Sequence, residues 1–463
     1  MRRFLAATVA IFGCAQPCDA QQATVKSETL ISLSVSPAAA PRPAFKYLLL
    51  PELREMNPGN PIQGYLKCQL DQYPFVFDAQ EFDRRKPLLA MPFGELTLAE
   101  APGLGSSALK QADAAARLDN PDWQILLKIR ADGFETLIPD VQAMRIVARA
   151  LKSRFHAEIA GGRLDEAIET AKTMFAMARH LGEHPTLIGE LVGISIATLA
   201  ITPLEEMMAH PNCPNLYWAL TNLPDPFISA RTALEGERVT IWGLGRDLDS
   251  TAPVSASAVK KFIDNLDGLI GKGLQGDEPG GVRGYIARLT KDEQKLGAAR
   301  KRLIDSGLKE ANVKSFSPEQ VILLDEVREL RARFDDVAKM MVFPAWQFEE
   351  MAEKAKGEKR EPALIADALL PAQAAVRQAQ ARLAQRLTML RHIEAIRLYA
   401  AEHKGALPAK LAEISVPLSD DPFTGKPFRY ELVGATAHLR GTPPKSAEHN
   451  PFLRVHYEIT VRN

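Results

Sequence analysis

The stretch 145–220 constrains this chain more than any other, because it is written in the period of packed helices. From Arg154 it reads RFHAEIAGGRLDEAIETAKTMFAMARHLGEHPTLIGELVG, with apolar residues returning every three or four positions. Ala150, Leu151, Phe155 and Ile159 share one helix face, and Gly161-Gly162 stops that helix. Leu164, Ala167, Ile168, Ala171, Met174, Phe175 and Ala178 form the stripe of a second helix, which Gly182 and Pro185 end. The run Leu191 to Ile201 is apolar nearly all round, which predicts a central buried helix, too short at eleven residues to cross a bilayer. Pro211, Asn212 and Pro214 then break the chain before LYWAL.

A chain of 463 residues corresponds to two to four domains. Lys+Arg and Asp+Glu are balanced at 57 each, so no global charge recruits nucleic acid or acidic lipid. The beginning reads as an export signal over 1–20: Met1-Arg2-Arg3 is a positive region, and Phe4 to Gly13 is an apolar run of signal-peptide length. Cys18-Asp19-Ala20 offers a cleavage point before Gln21. Ile11-Phe12-Gly13-Cys14 offers the competing reading, a lipid anchor on Cys14, with Phe12 bulkier than such a motif allows. Either way the expected location is extracytoplasmic, periplasmic or secreted, with no transmembrane span in the mature chain. Cleavage after Ala20 leaves Cys68 and Cys213, which an oxidising compartment permits to pair or to remain two buried thiols.

Residues 21–44 read as a Pro/Ala-rich linker, and 45–140 as a mixed, mostly helical lead-in without clean period-2 strands. Residues 141–365 form the expected central helical domain. Within it, Ser317-Pro318-Glu319-Gln320 writes an N-cap, a proline at the first helical position and a capping-box Gln, ahead of the stripe Val321, Leu324, Val327, Phe334, Val337 and Met341. Residues 366–463 change character. One long helix over 376–403 ends at Lys404-Gly405. Alternating residues then predict three strands, around Phe428–Leu432, Ala437–Leu439 and Leu453–Val461. The fold class is therefore mainly α: a multi-helix bundle or irregular α-solenoid, with a small C-terminal α+β module of a long helix and a three-stranded antiparallel sheet.

Three resemblances accompany this reading. AEIAGGRLDEAIETA resembles the turn of tetratricopeptide-like hairpins, which implies an α-α scaffold; any packed antiparallel helix pair accounts for it too. Tyr399, Gly405, Leu407, Pro408, Asp421, Pro422, Gly425, Pro427, Phe428 and Tyr430 resemble the globular part of type II secretion pseudopilins, over about sixty residues. The pseudopilin processing motif and assembly helix are absent, so the resemblance implies a borrowed fold and not a pilus subunit. The whole chain, with PNLYWAL and DPFTGKPFRY, resembles a group of large exported planctomycete proteins, which implies no activity.

For chemistry, His180-Leu181-Gly182-Glu183-His184 spells H-x-x-E-H, in which a helix sets two imidazoles on one face for zinc beside a carboxylate. Gly182 inside the motif and Pro185 after it place the segment at a helix end, where the helix dipole favours imidazolium instead. His156 and Glu158 lie nearby but point to different sides of their helix. Asp420-Asp421 invites calcium by the pseudopilin resemblance, yet a turn cap needs fewer ligands. Tyr217 with Trp218, and Trp346 with Phe343 and Phe348, read as core aromatics. No catalytic or cofactor motif stands out, so the expectation leans away from an enzyme. It favours a scaffold or interaction protein with envelope or secreted partners; an extracytoplasmic hydrolase and a secretion accessory are the alternatives.

Overall fold

The computed structural model describes residues 28–76, 107–271, 280–357, 361–445, 448 and 450–462. The expected signal peptide and the Cys14 anchor lie outside them. The protein is mainly helical, with a four-stranded sheet built from its two ends.

Strand β1 (Thr29–Val35) comes first, followed by α1 (Pro61–Val76), α2 (Ser107–Ala115) and α3 (Leu126–Asp132). The stretch that dominated the sequence becomes α4 (Pro139–Ala160), α5 (Leu164–Gly182) and α6 (Leu187–Met208), closed by the short α7 (Tyr217–Thr221). Each helix packs on the other two of the α4–α6 set, as their apolar stripes require. Thr186 caps α6 by accepting the Gly189 N–H at 3.1 Å. At 22 residues, α6 is twice the length of its apolar run and is long and apolar enough to cross a membrane. The expected eleven residues were too few because the Thr186 cap starts the helix at Leu187, four residues before the run, and Thr202 to Met208 extend it. In the fold, 67% of its apolar window is buried against α4, α5 and α16.

A second group follows: α8 (Arg231–Gly243), α9 (Ala256–Ile270), α10 (Gly281–Lys291), α11 (Glu293–Asp305), α12 (Glu310–Ser315), α13 (Pro318–Met340), α14 (Ala345–Gly357) and α15 (Leu364–Leu369). Ser317 Oγ caps α13 by accepting the Gln320 N–H at 3.2 Å, with Pro318 at the first helical position. Gln320 does not complete the capping box. Its amide turns instead to the 248–254 loop, accepting from the Val254 N–H at 3.1 Å and donating to the Leu248 and Ala252 carbonyls.

The chain then enters the 32-residue α16 (Pro371–Glu402), followed by β2 (Arg429–Val433), β3 (Thr436–Arg440) and β4 (Val455–Val461). Sheet order is β1-β4-β3-β2, with β1 parallel to β4 and the other pairings antiparallel. The expected three-stranded antiparallel sheet is thus mixed and four-stranded. The 21–44 linker is corrected over Thr29–Val35. TLISLSV alternates apolar and polar residues, Leu33 and Val35 are buried, and β4 offers an otherwise open edge. Burying two such side chains contributes about 1.5–3 kcal/mol each.

The domain boundaries also move. One core runs through β1, α1, α2 and α4–α7 and continues into α16 and the sheet. A second core joins α8 to α13 and α15. Residues 141–365 therefore span parts of two cores, and the α+β module of 366–463 packs into the first of them. Leu383, Leu390, Ile393 and Ile396 of α16 are buried in the first core with Val192, Ala197 and Leu204 of α6. Sequence separation concealed this, because the whole second group of helices lies between α6 and α16 along the chain.

Candidate functional site

The H-x-x-E-H residues are dispersed. His180 is buried on α5, and its Nδ1 lies 3.0 Å from the Tyr65 hydroxyl of α1. His184 is fully buried in the following turn, with Nδ1 2.9 Å from Thr186 Oγ1 and the Trp123 ring edge-on at 4.7 Å. Trp123 Nε1 donates to the His180 carbonyl at 3.1 Å, satisfying a carbonyl at the end of α5. Glu183 turns outward and accepts from Thr232 Oγ1 of α8 at 2.9 Å. Burial pushes both imidazoles down to about 4 from 6.5, with Arg179 adding to the effect at His180. The expectation that the helix end favours imidazolium is corrected, because desolvation outweighs the dipole at a buried ring. Among the described residues, His180, Glu183 and His184 do not bring three ligand atoms together.

His156 and Glu158 separate as expected for neighbours two apart on a helix. His156 Nδ1 meets Glu206 of α6 at 2.8 Å, whereas Glu158 accepts from Thr170 Oγ1 of α5 at 2.6 Å. Asp421 is a buried turn cap. It accepts from the Phe423 N–H at 3.1 Å and the Thr442 N–H at 2.8 Å, and from Gln385 Nε2 of α16 at 2.9 Å. Gly425 in that turn adopts φ 61°, and Trp346 of α14 lies over it so closely that a Cβ would meet the indole nitrogen at 2.7 Å. Tyr217 and Phe348 are core residues, while Phe343 is exposed. Cys68 and Cys213 are both buried and are not bridged to each other, so the permitted disulfide does not form.

What the sequence did not signal is the ionic seam along α16. Glu205 of α6 accepts from Arg386 of α16 and from the Tyr457 hydroxyl of β4, and Arg386 Nε donates to the same hydroxyl at 3.1 Å. Burial works against the Arg386 charge, but Tyr457 and Glu205 more than offset it. Three turns later, Arg397 is fully buried. It pairs with Glu394 at 2.7 Å and donates to the Cys213 carbonyl at 2.7 Å and the Ser36 carbonyl at 2.9 Å. Glu394 accepts from the Leu216 N–H at 3.0 Å, so α16, the end of β1 and the start of α7 meet at one pair. Toward the start of α16, Gln380 donates to Glu190 of α6 at 2.7 Å and to the Ile228 carbonyl at 3.1 Å. Burial raises the Glu190 carboxyl to about 8, so it is largely protonated at neutral pH.

A second polar group lies on the outer sheet face, where strand alternation turns one set of side chains away from the core. His438 of β3, with His456 and Glu458 of β4, places three ligand-type atoms within 4.8 Å of one another. The signal for it was present, since the non-core positions of these strands carry His438 on β3 and the pair His456-x-Glu458 on β4. Only the β3–β4 register pairs His438 with Glu458. No family model, no curated protein and no solved structure matches this chain.

Proposed function

We propose that this chain is an exported helical scaffold of the bacterial cell envelope that holds envelope or secreted proteins. The observation that supports it is the inward commitment of the ionic groups along α16. Glu205–Arg386–Tyr457 and Glu394–Arg397 fasten the last helix and strand to α6, to α7 and to the end of β1. Such groups rigidify a body and have their hydrogen-bonding capacity used internally, which suits a scaffold better than a reacting centre. The first and last described strands, β1 and β4, lie side by side in one sheet and so tie the two parts of the chain into one body. Leu127 of α3 and Leu137 just before α4 are exposed apolar positions, at 77% and 67% exposure.

The test is photo-crosslinking in cells from probes placed at Leu127 and Leu137, with Glu431 on β2 as the control position. The same envelope proteins captured from both leucines and not from Glu431 would support the scaffold. A chain that yields no adduct and turns over substrates in a hydrolase screen would replace this reading with an extracytoplasmic hydrolase. Sequencing the amino terminus of the envelope-fraction protein tests export, with Gln21 as the expected first residue.

A further inference from the structure

The outer face of the sheet carries a constellation that neither the scaffold reading nor the helical core uses. His438 Nδ1 lies 3.0 Å from His456 Nε2 and 3.7 Å from Glu458 Oε1. A zinc ion bound at about 2.0–2.1 Å by nitrogen and oxygen spaces tetrahedral ligand atoms about 3.3 Å apart. The two measured edges bracket that spacing. We propose that His438, His456 and Glu458 form a binding site for a divalent transition ion of the zinc class, held across β3 and β4.

The surrounding contacts are those a metal site needs. Glu28, just before β1, accepts from His456 Nδ1 at 2.7 Å. A carboxylate can only accept, so the hydrogen of His456 resides on Nδ1 and the Nε2 lone pair faces the cluster. His438 Nδ1, 3.0 Å from that lone pair, then carries its hydrogen toward it. Metal binding replaces this single shared proton, with His438 adopting its other tautomer. Glu458 is positioned as well, because Ser32 Oγ of β1 donates to its second oxygen at 3.4 Å. Arg440, the next outward residue of β3, reaches Glu431 of β2 at 3.6 Å and so directs its charge away from the cluster.

The donor set decides the ion. Two imidazoles and one carboxylate suit zinc and its first-row neighbours, whereas magnesium and calcium demand more oxygen ligands than the site offers. The His438 and Glu458 side chains keep 15% and 32% of their surface exposed, so an ion enters from solvent and retains a water at the fourth position. Because Glu28 and Ser32 precede or belong to β1, the ion also couples the first described strand to β3 and β4. The site is independent of the scaffold proposal and stands or falls on metal binding alone.

The experiment uses the full mature chain without an affinity tag, stripped with chelator and titrated with Zn²⁺ by calorimetry, and with Co²⁺ by visible absorption. One Zn²⁺ per chain is expected, with Co²⁺ bands of a four-coordinate site and no competition from millimolar Mg²⁺. His438→Ala and Glu458→Gln are expected to weaken binding by about 100-fold or more, and Glu28→Gln by about 10- to 100-fold as a residue that orients a ligand. Glu235→Gln on α8, whose side chain pairs with exposed Arg231 far from the sheet, is the control and leaves binding unchanged. His438 and Glu458 are chosen over the buried His456 so that the variants keep their fold, which circular dichroism checks. Absence of Zn²⁺ binding by the unaltered chain, or binding undiminished in folded His438→Ala, would overturn the site. So would six-coordinate Co²⁺ spectra that His438→Ala leaves unchanged.

Discussion

Glu205 of α6 and Tyr457 of β4 stand 252 positions apart and share a hydrogen bond in which the hydroxyl donates to the carboxylate. Arg386 of α16 completes the triangle, so the central helix, the last helix and the last strand meet at one buried oxygen. Removing the carboxylate leaves a guanidinium desolvated without its counter-ion. Glu205→Ala is expected to cost about 3–5 kcal/mol of unfolding free energy. Tyr457→Phe keeps the Glu205–Arg386 pair and is expected to cost about 1.5–3 kcal/mol. Urea unfolding followed by circular dichroism measures both; equal, small losses would show that the triangle does not bind the sheet to the helices.

The pH dependence of stability follows from Glu190. Its carboxyl is raised from 4.5 to about 8 by burial, with Arg377 and Gln380 pulling the other way. Between those values the native state keeps a proton that the unfolded chain has released, so stability falls as pH rises. Glu158 and Glu326, raised by burial to about 7, add to that fall over the lower part of the window. His180, His184 and His392, lowered to about 4 by burial, act oppositely and make stability rise from pH 4 to 6.5. Glu190→Gln is therefore expected to stabilise the protein more at pH 8 than at pH 5, and to flatten the decline above pH 7. Chemical unfolding at pH 5, 7 and 8 reads this directly, and an offset independent of pH would contradict it.

Gly236 of α8 lies against the turn between α5 and α6. A Cβ there would stand 1.9 Å from the Pro185 carbonyl oxygen. Backbone cannot rotate away as a side chain does, so α8 has to shift. Gly236→Ala is expected to lower stability by about 1–3 kcal/mol or more. Gly243, at the end of the same helix, has open space around it. Gly243→Ala serves as the matched control and is expected to change stability by less than about 1 kcal/mol. Thermal unfolding of the pair distinguishes a close crossing from a general effect of alanine.

Cys213 is buried, and that burial pushes its thiol up to about 12 against the pull of Arg397. A thiol without thiolate is a poor nucleophile. The native protein is expected to leave Cys213 unmodified by iodoacetamide at pH 8 and to show rapid alkylation only in denaturant. Peptide mass spectrometry checks this. Rapid native modification would mean that the α6–α7 turn opens.

The helices around the first core were legible because a stripe such as Leu164, Ala167, Ile168, Ala171 and Phe175 is a local pattern, readable without any partner. Ser317 and Pro318 likewise announced where α13 begins. Thr29–Val35 escaped attention although its alternation was there to be read. Seven residues beside a Pro/Ala run carry little weight until an edge such as β4 is known to await them. Gly182 and Pro185 already set the zinc pattern at His180 and His184 aside, but the charge expected of those imidazoles was wrong, because their burial beside Tyr65, Thr186 and Trp123 was invisible in one dimension.

What the sequence by itself determined, then, is the helical class, the ends of α4 and α5, the start of α13, and the strands β2, β3 and β4. All of these depend on residues within a turn or two of one another. Tertiary structure alone decided that β1 joins the last strand, that α16 belongs to the first core, and that Glu205, Arg386 and Tyr457 converge. It also set His438 opposite Glu458 with Glu28 behind His456. These relationships rest on contacts between segments hundreds of residues apart. They are settled by which apolar faces and open edges remain to be covered once the local elements exist.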